Sequence, residues 1–244
     1  FYDIQCAVGN KAADNAKILK DRGYKIMNLD GQFSHDYIEI DRMQCFVAYK
    51  KTNGKYEVII DFQGTSGYGQ DDDWQDMWSN LTGSTYTDIS GMHEGYHKMA
   101  DKLYEKESSI IDDKNRINLY SLIEKAADNK AHITLLGHSM GGAIAQCYAL
   151  HLVNDWKIPK GQITGRTFNS ALACDYDDEA FTDWYNICVS TDSVCNGLVP
   201  GSIIYYGVHR IGKTIWLYDI HPEDIVFNNG FCRVANIANN KHEM

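Results

Sequence analysis

His132-Ile133-Thr134-Leu135-Leu136-Gly137-His138-Ser139-Met140-Gly141-Gly142-Ala143-Ile144-Ala145-Gln146 joins two kinds of periodicity in fifteen residues. Ile133 to Leu136 is an apolar, partly β-branched run that reads as a buried strand, and Ala143 to Leu152 reads as a helix with small residues toward a sheet. Between them stands Gly137-His138-Ser139-Met140-Gly141. A strand that turns sharply into a helix through G-x-S-x-G puts the central side chain at the tip of a strained turn, and the glycines let neighbouring backbone pass close by. Gly and Ser each make up about 7% of residues, so the three fixed positions arise by chance in roughly one chain of this size in ten. The strand before and the helix after carry the weight: they predict that Ser139 is presented as a nucleophile.

Working outward, 244 residues with 44% hydrophobic content suffice for a large core, and no repeat or low-complexity block divides the chain. The expectation is one α/β domain over residues 1–244. A formal net charge of −10 speaks against nucleic acid and offers no basic patch to an anionic membrane. No apolar run is long enough for a spanning helix, and the residues from Phe1 onward lack a signal-peptide pattern. The seven cysteines are scattered without a C-x-x-C pair, which predicts free thiols in a reducing, cytoplasmic setting rather than a disulfide framework or a metal site. Secretion after removal of a signal peptide is the alternative, and Cys188 with Cys195 is the one pair placed to bridge.

Asn15 to Arg22 is helical in pattern and stopped by Gly23. Gln44 to Lys51 and Lys55 to Gln63 read as strands joined through Asn53-Gly54, a hairpin turn. Ser66 to Leu81 opens Gly-rich and acidic, then sets Trp74, Met77, Trp78 and Leu81 on one helical stripe. Two readings of that stripe stand side by side, a helix packed on the core and a movable cover over a substrate site. Met92 to Lys106 and Asn115 to Lys130 read as helices, Gln162 to Ser170 and Trp184 to Thr191 as strands, and Ser202 to His209 with Thr214 to Ile220 as a final hairpin. Alternating strands and helices after residue 56 predict a mostly parallel central sheet with helices on both faces.

A serine hydroxyl needs a general base, usually His, and the imidazole needs an acid to fix its tautomer. On such a sheet the acid follows a later strand and the His comes last. Asp192, the first turn residue after Cys188-Val189-Ser190-Thr191, fits the acid; Asp175 and Asp219 compete, and a plain turn-forming role also explains Asp192. His209, His221 and His242 follow it. His209 lies in a strand-like run, where a packed core imidazole is the simplest expectation, His221 precedes Pro222 in a turn, and His242 lies in a polar tail. Residue order admits all three. An oxyanion hole uses the N–H after the nucleophile, here Met140, and one from the loop after an earlier strand, for which Thr65 behind Gly64 is placed.

These segments together resemble class 3 lipases, the family of fungal lipases, feruloyl esterases and bacterial relatives, over nearly the whole span from Gln44 to Met244. Phe62-Gln63-Gly64-Thr65 is similar to the family's F-R-G-T, with Gln63 in place of Arg. Asp73-Trp74 through Asn80-Leu81 resembles its D-W-x-x-N-L segment in the lid region, and Met92-His93-Glu94-Gly95-Tyr96 its V-H-x-G-F. Ile133 to Gln146 matches V-T-x-x-G-H-S-L-G-G-A-x-A almost position for position, and Asp192-Ser193-Val194 is similar to its D-x-V. Thr167-Phe168-Asn169-Ser170-Ala171 departs from T-F-G-S-P. The resemblance implies an α/β-hydrolase fold with a lid at about 66–81 and a serine ester hydrolase with the triad Ser139, Asp192 and His242. It makes His209 noncatalytic and leaves His221 as the rival base; Thr65 and Met140 form the oxyanion hole. Asp192 stands 53 residues after Ser139 and 50 before His242, the family's order of spacing. No cofactor or metal is called for, and the expected substrate is a small-molecule or lipid ester, met by a monomer in transient contact with a lipid surface. A soluble-ester esterase, or a silent lipid- or glycan-binding module of the same fold, is the alternative.

Overall fold

The computed structural model describes residues 12–32, 37–41, 43–64, 91–175, 179–190, 192, 194–195, 209–217, 225–228 and 231–234. Thr65, the 66–81 segment, Asp219, His221 and His242 lie outside them.

The first element among the described residues is α1 (Ala12–Asp21). Gly23 ends it at φ 83°, with Tyr24 N–H donating to Leu19 O (2.9 Å) and Gly23 N–H to Lys20 O (3.0 Å), the paired bonds of a left-handed helix stop. Strands β1 (Lys25–Leu29) and β2 (Ile38–Ile40) follow. Then come β3 (Met43–Thr52) and β4 (Lys55–Phe62), paired antiparallel from Cys45↔Phe62 to Thr52↔Lys55. Asn53 (φ 52°) and Gly54 (φ 83°) make the expected two-residue turn, whose left-handed pair matches the strand twist.

Helix α2 (Glu94–Tyr104) buries Tyr96, Met99, Ala100 and Leu103, one stripe at helical spacing. Strands β5 (Ile110–Asp112) and β6 (Ile117–Asn118) precede α3 (Leu119–Ala127). This helix starts four residues later than its apolar pattern predicts. Arg116 is left-handed at φ 50°, Ile117 and Asn118 pair with β5, and the Asn118 side chain caps the helix by accepting from Ser121 N–H at 2.9 Å. An Asn that bonds the backbone two or three residues on favours a cap over a helix interior.

The remaining elements are β7 (Ala131–His138), α4 (Met140–Asn154), β8 (Ile163–Phe168), β9 (Trp184–Val189), β10 (Lys213–Leu217), and a separate hairpin of β11 (Ile225–Asn228) and β12 (Phe231–Val234). The main sheet runs β10-β9-β8-β7-β4-β3-β1-β5-β6, with β2 beside β3. From β4 to β10 all neighbours are parallel, as the alternation after residue 56 predicts, and β3, β1, β5 and β6 extend the other edge antiparallel. Expected as one arm of a hairpin, β10 instead lies parallel to β9; of the other arm, 202–208 lies outside the described residues and His209 bridges to Cys174.

Alternation along the strands divides the core. Cys45, Val47 and Tyr49 of β3 and Val58, Ile60 and Phe62 of β4 pack with α2, α3 and α4, while Phe46, Ala48, Ile59 and Leu136 meet Leu19 of α1 on the opposite face. Helix α4 is buried continuously from Met140 to Leu152, which is why its sequence is small and apolar rather than amphipathic. Cys45, Cys147, Cys174, Cys188 and Cys195 are buried and joined in no disulfide among the described residues. Among the described residues no helix is long and apolar enough to cross a membrane.

Candidate active site

Ser139 joins β7 to α4 with φ 54° and ψ −122°, a conformation that crowds Cβ against the backbone and is rare for any residue with a side chain. The surroundings hold it there. Ser139 N–H donates to Phe168 O at the end of β8 (2.9 Å), while its carbonyl accepts from Gly142 N–H (3.1 Å) and Ala171 N–H (3.2 Å). Its hydroxyl makes no helix-cap bond although Ser139 occupies the cap position. Met140, the first helical residue, lies ahead of the intrahelical hydrogen-bond ladder, so its N–H belongs to the positive end of the helix.

The glycines around Ser139 are sites of backbone contact. A Cβ on Gly141 would stand 2.1 Å from Phe62 O, and one on Gly137 2.3 Å from Gly141 O. A Cβ on Gly64 would stand 2.7 Å from His138 O. The end of β4 therefore lies directly against the turn, and Thr65 is the next residue beyond Gly64.

Asp192 follows β9, two strands from β7 with β8 between, so the two strand ends lie roughly 10 Å apart. Its N–H donates to Val189 O (3.0 Å), and its Oδ1 accepts from Val194 N–H (2.8 Å) and Cys195 N–H (3.1 Å). The turn-forming role is thus observed, and it fixes the direction of the carboxylate. Although part of His138 reaches solvent, packing around its ring lowers its pKa and Asp192 pulls the other way, which places this carboxylate in the electrostatic neighbourhood of the turn. Asp175, the rival acid, is exposed and donates its N–H to Gly91 O (2.9 Å).

His209 departs from the core-imidazole expectation. It is exposed, and its place is set by backbone bonds: its N–H donates to Cys174 O, and its carbonyl accepts from Ala173 N–H at 2.9 Å. Of the strand-like run 202–209 only His209 is among the described residues, and these contacts are made by its backbone.

Three supporting residues were not singled out from the sequence. Asn169, where the family pattern has Gly, is left-handed at φ 44°, and its Oδ1 accepts from Val189 N–H at 2.8 Å, tying the end of β8 to the strand that carries Asp192. Fully buried Gln146 donates to Ser170 Oγ (2.8 Å) and accepts from Ile211 N–H (3.0 Å). Arg210, buried and with its pKa lowered by that burial, donates to Ser170 O through Nε (3.0 Å) and Nη2 (2.6 Å) and to Cys195 O. It braces the loop after β8 against the Asp192 turn. A polar residue in an apolar helix signals Gln146; Arg210 acts over 40 residues of sequence and has no local signature.

A parallel sheet carrying a strained Ser between strand and helix, with a carboxylate turn two strands away, defines the α/β-hydrolase class. The family model for lipase (class 3) matches residues 46–198, and the chain belongs to the class 3 lipase family; it is a serine carboxylic-ester hydrolase. No curated protein matches the chain. Among solved structures, the lipase from Rhizopus microsporus var. chinensis is similar with a TM-score of 0.56 and 13% identity over 88% of this chain and 72% of that one. A triacylglycerol lipase described as having a serine protease triad at its catalytic centre gives 0.56 and 17% over 90% and 78%. The Rhizomucor miehei lipase in complex with its propeptide gives 0.54 and 15% over 96% and 72%. At such identities the likeness is one of fold.

Proposed function

We propose that Ser139, His242 and Asp192 are the catalytic triad of this lipase or esterase, with Thr65 and Met140 as the oxyanion hole. The observation that carries the reading is the backbone of Ser139, held at φ 54° and ψ −122° at the start of a buried helix. Ser139 Oγ attacks the ester carbonyl carbon while His242 takes its proton. The tetrahedral oxyanion is met by the N–H groups of Met140 and Thr65, the latter adding its hydroxyl. Collapse expels the alcohol, which receives the proton from His242, and water activated by the same imidazole releases the acid. Asp192 holds the imidazole in one tautomer.

The single-domain organisation over 1–244, with residues 66–81 as a cover, belongs to the same proposal. The stripe of Trp74, Met77, Trp78 and Leu81 beside Asp71, Asp72 and Asp73 supports an apolar inner and an acidic outer face. Lipid esters are the substrate class this favours, in line with the triacylglycerol lipase to which the fold is similar. Labelling by a fluorophosphonate that disappears in Ser139→Ala tests the nucleophile. A series of esters from acetate to palmitate, with a feruloyl ester included, tests the substrate: rates rising with chain length and jumping above the solubility limit of tributyrin support a lipase, and smooth saturation there with preference for short or feruloyl esters overturns it.

A further inference from the structure

Helix α4 carries Ser139 at one end and a second group of chemically able side chains near the other. Twelve residues on, about 18 Å along the helix axis, His151 faces His97 and Asp101 of α2. One ligand atom from each of the three lies within 4.8 Å of the others. The two residues of α2 are four apart and so share one face.

The imidazole of His151 explains what this arrangement lacks. The residue is 8% exposed, and its Nδ1 lies 2.8 Å from Asp155 Oδ2 one turn further on. Protonated at Nδ1 toward that carboxylate, the ring would present Nε2 as a bare lone pair. That Nε2 lies 2.8 Å from Asp101 Oδ1, yet it is buried without a hydrogen-bond partner, because the bond directions do not match. A lone pair and a carboxylate oxygen at this separation repel each other unless a cation joins them.

We propose that His97, Asp101 and His151 form a binding site for a divalent metal ion of the zinc type, with Asp155 as the positioning residue that sets the His151 tautomer. Two imidazoles and one carboxylate are a donor set that zinc takes, with water completing four-coordination. A tetrahedral zinc with bonds of about 2.0–2.1 Å holds its donor atoms about 3.3 Å apart. The Asp101 oxygen lies 2.8 Å from His151 Nε2 and 3.5 Å from His97 Nε2, on either side of that spacing. The carboxylate–histidine pair of Asp155 and His151 is the usual support behind a metal-bound imidazole. Tyr104 stacks on the His151 ring at 4.9 Å and 15°, fixing its plane. The partly exposed Asp101 and His97 leave the site a route to solvent. Its position at the C-terminal end of α4 adds the negative end of the helix dipole.

Such an ion would tie α2 to α4 far from Ser139, so its effect is on stability rather than on the chemistry of ester cleavage. The three ligands have no local spacing signature, since His97 and Asp101 on α2 meet His151 on α4 only in the folded chain.

The test is zinc binding by the purified full chain in competition with a chromophoric chelator, read together with the melting temperature. Expected are one zinc per chain that survives dialysis and a raised melting temperature. Both are lost in His97→Ala, and affinity falls about 10- to 100-fold in Asp155→Asn, which keeps all three ligands. Should His97→Ala unfold, Asp155→Asn alone carries the comparison. Absence of stoichiometric zinc in the wild type, or an affinity in both variants equal to that of the wild type, overturns the site.

Discussion

Ser139 occupies a backbone state whose cost, of order 1–3 kcal/mol, is met by bonds from β8 and the following loop. If its hydroxyl, His242 and Asp192 act as one unit, their losses do not add. Ser139→Ala and His242→Ala should each lower kcat by roughly 10⁴-fold or more, and the double variant should be no worse than either. His221→Ala should leave kcat within a few-fold; a loss there with His242→Ala active would move the base to 221. Asn169 gives a second test at this scale. Its left-handed φ favours Gly or Asn, and its side chain satisfies Val189 N–H. Asn169→Gly should lose only the bond, about 1 kcal/mol in chemical denaturation, whereas Asn169→Ala should lose about 1 kcal/mol more for the strained backbone. Equal losses would show that φ is not what selects Asn.

Between elements, the site depends on β4 and α4 meeting with no side chain in the way. Gly141→Ala puts a methyl 2.1 Å from Phe62 O, against backbone that cannot rotate aside. The expected loss is about 1–3 kcal/mol from overpacking, with kcat/KM falling further than stability explains because the residues after Phe62 lead to Thr65. Unchanged kcat/KM in a folded Gly141→Ala protein would detach the β4 end from the chemistry. This contact also shows what was legible. The apolar run of β7, the Asn53-Gly54 turn and the glycines of the Ser139 turn are local signals, and each was read from adjacent residues. Strands β1, β2, β5 and β6 were not, because two to five residues paired on an antiparallel edge carry too few apolar positions for a period. The start of α3 was misplaced because a cap by Asn118 outweighs an apolar stripe. Arg210 has no local signature because its partners, Ser170 and Cys195, are brought to it only by the assembled sheet.

For the whole molecule, the dominant polar question in the described core is what charge its buried carboxyls carry. Asp61 is fully buried with neither oxygen bonded, and burial raises its pKa well above the usual range. Glu107 is 2% exposed and accepts from Tyr148 Oη (2.7 Å) and Trp156 Nε1 (3.2 Å), so it joins the turn after α2 to α4 and the residues that follow it. Burial raises its pKa from 4.5 to about 7, the larger influence, against the two donors that lower it. In the unfolded chain this carboxyl has lost its proton by pH 5 to 6, while the folded protein still holds it. The stabilisation is complete below the unfolded pKa and is lost as pH rises through 7. At about 1.4 kcal/mol per pKa unit, that loss is on the order of 3 kcal/mol. Glu107→Gln removes the titration but keeps the shape, with its amide oxygen accepting from Trp156 and its NH₂ donating to Tyr148 Oη. Urea unfolding of both proteins from pH 4.5 to 8.5 should therefore show the variant gaining on the wild type by about 2–3 kcal/mol between pH 5 and 7.5, then running parallel to it. Asp61 is common to both proteins and cancels in the difference. A difference that stays constant across that range would mean that Glu107 is already ionised in the fold and that its two donors, not burial, govern the centre of the molecule.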